Sequence, residues 1–105
     1  MAFYGFPMTY REAVSQAHTA LLERDPRAVI LGEGVTDPVG IFGTTLEAFR
    51  KFPFRVIETP LSETMLGNAC VGMALEGLRP VYVHARFEFS IFTWSSLVNV
   101  ASKIP

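Results

Sequence analysis

The chain has 105 residues, half of them apolar and 18% charged, and a formal net charge of −1. Such a length leaves room for one domain only. The composition excludes an intrinsically disordered chain, and the near-neutral charge provides no basic footprint for nucleic acid or an anionic membrane surface.

The first eight residues, MAFYGFPM, read as an extended N-terminal arm. Residues 9–105 then read as a single α/β unit. Thr9 and Glu12 have capping-box spacing, so a helix is expected to begin there. Ala13, Val14, Ala17, Leu21 and Leu22 recur on one helical face. ERDPR ends this helix, because proline disfavours helical geometry in the residue before it. AVILG (28–32) is wholly apolar and bounded by turn residues, the pattern of a strand buried on both faces. EGVTDPVGIFGTT is a loop, and TLEAFRKF a short amphipathic helix. FRVIET (54–59) reads as a second strand. SETMLGNACVGMALEG reads as a helix ended by Gly77. LRPVYVHA (78–85) reads as a third strand, and 87–103 has the length of a further helix with aromatics on most sides. Such alternation implies parallel strands joined by right-handed crossovers. So small a sheet, with so aromatic a last segment, leaves apolar surface uncovered, and a homo-oligomer or a missing partner is expected.

Cys70 is the only cysteine, and His18 and His84 are the only histidines. An internal disulfide is therefore ruled out, and no metal site is expected. Cys70 reads as a small buried hydrophobe, and the missing disulfides point to a reducing, cytoplasmic setting. The N-terminus lacks the basic region and long apolar core of a signal peptide. The charge-free runs 64–75 and 89–102 are too short to span a bilayer, so no membrane partner is expected.

Glu63 falls in the first turn of the helix after the second strand. In parallel α/β sheets the strand C-termini and helix N-termini line the ligand crevice, but an acid there also complements the helix macrodipole. Glu33, at the end of the first strand, either faces the same crevice or is a solvated turn acid. Gly32, Gly34 and Asp37 imitate a dinucleotide fingerprint, yet no helix follows at once and a third glycine is missing. Gly67, Gly72 and Gly77 are spaced by five. Helix-interior glycine costs up to about 1 kcal/mol relative to alanine, so close approach by another element or a ligand is expected. His84 and Arg86 stand two apart at the end of the third strand, a spacing that points both the same way.

TYREAVSQAHTALLERDPRAVILGEGV, IFGTTLEAF, RVIETPLSE and GMALEGLRPV resemble the start of the beta subunit of thiamine-diphosphate-dependent 2-oxo acid dehydrogenases. LRPVYVHARFEF through LVNVASK extends the match over nearly the whole chain. The resemblance implies part of a transketolase-type pyrimidine-binding domain. Its fold is three-layer α/β/α, with a short parallel sheet of about three strands ordered 2-1-3. By the same resemblance Glu63 hydrogen-bonds N1′ of the cofactor's aminopyrimidine, which favours the imino tautomer that helps deprotonate the thiazolium carbon. Leu61 lines that pocket, Phe89 stacks on the pyrimidine, and Glu33 lies near the cofactor glutamate. The small-residue helix corresponds to a subunit interface. Mg²⁺ and the diphosphate bind on an alpha subunit, so an alpha-subunit-like partner is implied.

The chain also departs from the family. Family beta subunits run well past the one-domain range, so the sequence reads as truncated after its last helix. Ser95-Ser96 stands where an Asp-Gln pair is usual, and the bulky IFTW (91–94) is unusual. The isolated chain is therefore expected to bind thiamine diphosphate weakly or not at all and to be inactive alone. The alternative is a non-catalytic oligomerising or regulatory module that retains only the fold.

Overall fold

A computed structural model describes residues 7–39 and 41–105. Most of the expected N-terminal arm, 1–8, lies outside the described residues. Helix α1 (Tyr10–Arg24) starts where the capping box requires: the Thr9 hydroxyl accepts the Glu12 amide at 3.1 Å. Strand β1 (Ala28–Gly32), helix α2 (Leu46–Lys51), strand β2 (Val56–Glu58), helix α3 (Glu63–Leu75) and strand β3 (Arg79–Tyr82) follow in that order. The inward stripe of α1 differs from the expected one. Thr19, Ala20 and Leu22 are buried, whereas Ala17 is exposed.

The sheet is parallel and ordered β2-β1-β3, as the resemblance implied. Ile30 pairs with Val56 and Val81, and these residues share one face. They join Leu22, Ala28, Val35 and Ala48 in the core beneath α1 and α2. Burying an aliphatic side chain of this size stabilises by about 1.5–3 kcal/mol. Leu31 and Tyr82 register together on the opposite face, where Pro80 and Tyr82 line a hollow with Gly67, Cys70 and Val71 of α3. The chain therefore forms three layers, α/β/α.

Strand order explains the layering. The crossover from β1 to β2 runs one way and that from β2 to β3 runs back across β1. Right-handed connections must then place α2 and α3 on opposite faces. That reversal opens a crevice at the C-terminal ends of the strands, where such sheets bind ligands. Gly32 ends β1 at the crevice, and a Cβ there would run into the Val83 carbonyl. Only glycine lets the exit of β3 lie so close.

The glycines of α3 do not share one explanation. Gly77 takes φ +95° just past the helix, and the Leu78 amide reaches back to the Met73 carbonyl at 3.0 Å, a left-handed cap. At Gly67 a Cβ would lie 2.7 Å from the Ser96 hydroxyl and 3.2 Å from Thr93 Cγ2, so this glycine admits the chain's own last segment. Around Gly72 nothing lies within 4 Å. Of the three, only Gly72 is left for the subunit interface that the resemblance implied.

The last segment is not the single helix expected over 87–103. It forms a 3-10 run (Phe87–Thr93), a π-type turn (Ser96–Val100) and a 3-10 turn (Ala101–Lys103). Two anchors distort it. Thr93 and Ser96 are buried against α3, and the Phe92 carbonyl accepts the Thr64 hydroxyl at 3.0 Å. Phe87, Ile91, Phe92, Trp94, Leu97 and Val98 remain exposed, so no continuous apolar stripe holds a regular helix. Strand β3 also stops at Tyr82, short of the expected 85. The alternation that would aim His84 and Arg86 together therefore has no strand to carry it.

Candidate functional site

The crevice is a cleft of about 860 Å³, within the usual range of about 300–1,000 Å³ for small-molecule sites. All three strand ends contribute to its lining. From the loop after β1 come Glu33, Gly34, Asp37, Val39, Ile41 and Phe42. The turn between β2 and α3 adds Leu61, Ser62 and Glu63, and the exit of β3 adds Tyr82, His84 and Phe89. Glu33, Leu61, Glu63 and Phe89, far apart in sequence, thus line one cavity. Arg86 is not among the lining residues.

Glu63 is the first residue of α3, and the Ser62 side chain makes no capping bond there. The Glu63 carboxylate is half-buried, while Leu61 and Phe89 present 69% and 40% of their surface. Both apolar side chains thus leave surface open at the cleft.

The Tyr82 and His84 rings pack with centroids 4.4 Å apart, tilted by 37°. Burial lowers the His84 pKa from its ordinary value, and the Glu63 charge pulls it partly back up. The Tyr82 phenol is raised, first by burial and then by the charges of Glu63, Cys70 and Glu33. Both acids therefore act on the same aromatic floor. Burial also raises the Cys70 thiol, and a thiol held protonated is a packing group rather than a nucleophile.

Glu58, the last residue of β2, is a further acid at this end of the sheet, with no signal in its local sequence. Its carboxylate accepts the Gly34 amide at 2.7 Å, the Thr36 amide at 3.2 Å and the Thr36 hydroxyl at 3.0 Å. Burial pushes this carboxyl up, but the three hydrogen bonds outweigh it and hold the pKa below its ordinary value. Glu58 thereby fixes the loop that carries Glu33 and Asp37. The sequence offered only an acid ending a strand, since its donors Gly34 and Thr36 lie 24 and 22 residues away. That loop is no phosphate cradle, since the next helix starts at Leu46 and the amides of Gly34 and Thr36 are spent on Glu58.

A second hollow of about 590 Å³ lies between α3, β3 and the last segment, and Tyr82 and His84 form part of its wall too. Among the described residues no group of three His, Cys, Asp or Glu side chains could hold a metal ion. No described helix is long and apolar enough to cross a membrane.

Comparison with known proteins gives concordant matches. The profile of the transketolase pyrimidine-binding domain matches residues 6–104. The chain is 35% identical over 97 residues to the mitochondrial pyruvate dehydrogenase E1 component subunit beta of Rattus norvegicus, covering 91% of this chain and 27% of that protein. It is 34% identical over 97 residues to the human protein of the same name, and equally to the pyruvate dehydrogenase E1 component subunit beta of Rickettsia felis, covering 30% of the latter. The chain thus spans less than a third of these relatives' length.

Proposed function

The chain belongs to the transketolase pyrimidine-binding domain family, and on that premise we propose that its cleft is the pyrimidine-clasping half of a thiamine diphosphate site. The observation that carries this reading is the convergence of Glu63, Leu61, Phe89 and Glu33 on one cleft. A flat aminopyrimidine needs apolar walls and a carboxyl group that can share a proton with its ring nitrogen. Leu61, Phe89, Val39 and Phe42 supply the walls and Glu63 the carboxyl group. A diphosphate and the metal ion it carries would meet a lining in which, among the described residues, Glu33, Asp37 and Glu63 stand against the guanidinium of Arg11. Those parts fall to a partner of the alpha-subunit kind.

When bound, the cofactor supplies a carbon nucleophile able to decarboxylate a 2-oxo acid. The work of this chain is positional. Glu63 holds a proton at the pyrimidine nitrogen, and the half-buried setting of its carboxylate strengthens that hydrogen bond relative to water. Leu61 and Phe89 clasp the ring and exclude water, and Glu58 keeps the Glu33 loop in place. Catalysis needs groups from both halves of the pocket, so the isolated chain is inactive. Titration of the chain with thiamine, followed by NMR, tests the reading. Perturbations centred on Glu63, Leu61 and Phe89 are expected, and a saturating titration that leaves these signals unmoved rejects it.

A second reading is supported by exposed apolar side chains on α3 and the last segment. Leu75, Trp94, Leu97 and Val98 each expose half or more of their surface. Such a patch suits self-association, and we propose a homo-oligomer, a state compatible with the cofactor reading and with a non-catalytic module alike. Light scattering at micromolar concentration tests it, and a monomeric mass refutes it.

A further inference from the structure

The charges around the cleft say which form of the ligand this chain selects by itself. Among the described residues lining it, the carboxylates are Glu33, Asp37 and Glu63, and the guanidinium is Arg11. His84 also lines the cleft, and its depressed pKa leaves it neutral at and above pH 7. The N-terminus of α3 adds a fractional positive charge of roughly one half. Glu63 sits in that same turn and offsets it. Summed over the described residues, the cleft lining carries about one and a half negative charges. Burial is the first cause of the raised Tyr82 phenol at the cleft floor, and the charges of Glu63, Cys70 and Glu33 add to it. The loop amides that could have offered an anion a cradle are engaged by Glu58, whose own charge lies just behind them.

We infer that this chain alone prefers unphosphorylated thiamine, a cation, over thiamine diphosphate, an anion. The inference rests on the reading of the cleft as an aminopyrimidine site. Both ligands carry the same ring for Glu63, Leu61 and Phe89 to engage. They differ in the group beyond it, which meets a cleft of negative potential. A positively charged thiazolium is attracted there, whereas a diphosphate is repelled unless another chain brings cations to it. Phosphorylation state thus becomes the feature that a diphosphate-binding partner reads and this chain rejects.

Calorimetric titration of the whole chain at low ionic strength tests this with three probes: thiamine, its free aminopyrimidine alcohol half, and thiamine diphosphate with and without Mg²⁺. Thiamine is expected to bind about tenfold or more tightly than the diphosphate, with the neutral half-molecule between them. The gap should close at high salt, where such fields are screened, and should narrow in the Glu33→Gln, Asp37→Asn double variant. Diphosphate binding as tight as thiamine overturns the inference while leaving the aminopyrimidine site standing. A gap that salt and the double variant leave unchanged also overturns it, because the discrimination is then not electrostatic. If none of the three probes binds, the inference and the site reading fall together.

Discussion

The Glu58 carboxylate accepts the Gly34 amide at 2.7 Å, tying the end of β2 to the first turn after β1. With the two bonds from Thr36, this contact holds the cleft wall in one arrangement. Removal of a charged acceptor that serves several donors costs about 1.5–3 kcal/mol where the site is dry. The loop is partly open to water, so Glu58→Ala should cost about 1 kcal/mol in urea unfolding. Glu58→Gln should cost less, since one acceptor oxygen survives. Amide exchange at Gly34 and Thr36 should speed up in both variants.

The same carboxylate makes stability depend on pH. Its folded pKa lies below the ordinary 4.5. Its contribution is therefore complete above that value and is lost as pH falls through the folded pKa. Urea unfolding between pH 5 and 3, roughly one unit to each side of the carboxylate range, should show a smaller loss of stability in Glu58→Gln than in the parent chain. Parallel curves would assign the acid sensitivity to other groups.

Glu63 should be visible through its neighbours. Its charge raises both His84 and Tyr82. In Glu63→Gln the His84 pKa should therefore fall further below 6.5, and the Tyr82 pKa should fall back toward 10. NMR titration of the imidazole and ultraviolet titration of the phenol measure the two shifts. A depressed His84 pKa also contributes stability that is present above the ordinary value and lost as pH drops through and below it.

The glycines of α3 should respond oppositely to one change. Gly67→Ala drives a methyl into Ser96 and Thr93, an overpacking that costs about 1–3 kcal/mol. Ser96→Ala in the same chain should recover part of that loss, because it removes the atom in closest conflict. Gly72→Ala meets open space and should stabilise the helix by up to about 1 kcal/mol. If α3 packs against a second copy through Gly72, the same variant should weaken self-association in light scattering.

The sequence carried the element order, the Thr9 cap, the Gly77 stop and the two-faced burial of β1, all of which follow from local chemistry and apolar patterning. The 2-1-3 strand order came from the family resemblance, since nothing local in three short strands fixes their neighbours. Gly67 and the last segment were misread for a related reason. Spacing by five suggested one external interface, whereas the partner of Gly67 is Ser96, twenty-nine residues away and visible only once the chain has folded. Glu58 was missed because its donors belong to a different strand end. Glu33, Leu61, Glu63 and Phe89 were legible as candidates through the resemblance, and their gathering around one cleft follows from the parallel topology.

We propose that Glu63 and its neighbours form a site for an aminopyrimidine ring. Calorimetry of thiamine against the parent chain and against Glu63→Gln, with both shown to be folded by circular dichroism, tests it most directly. Weak binding to the parent, of roughly millimolar affinity, is expected, with a loss of about tenfold or more in Glu63→Gln, which is about 1.4 kcal/mol. Equal affinity in the two chains, or no heat from the parent at saturating thiamine, would contradict it.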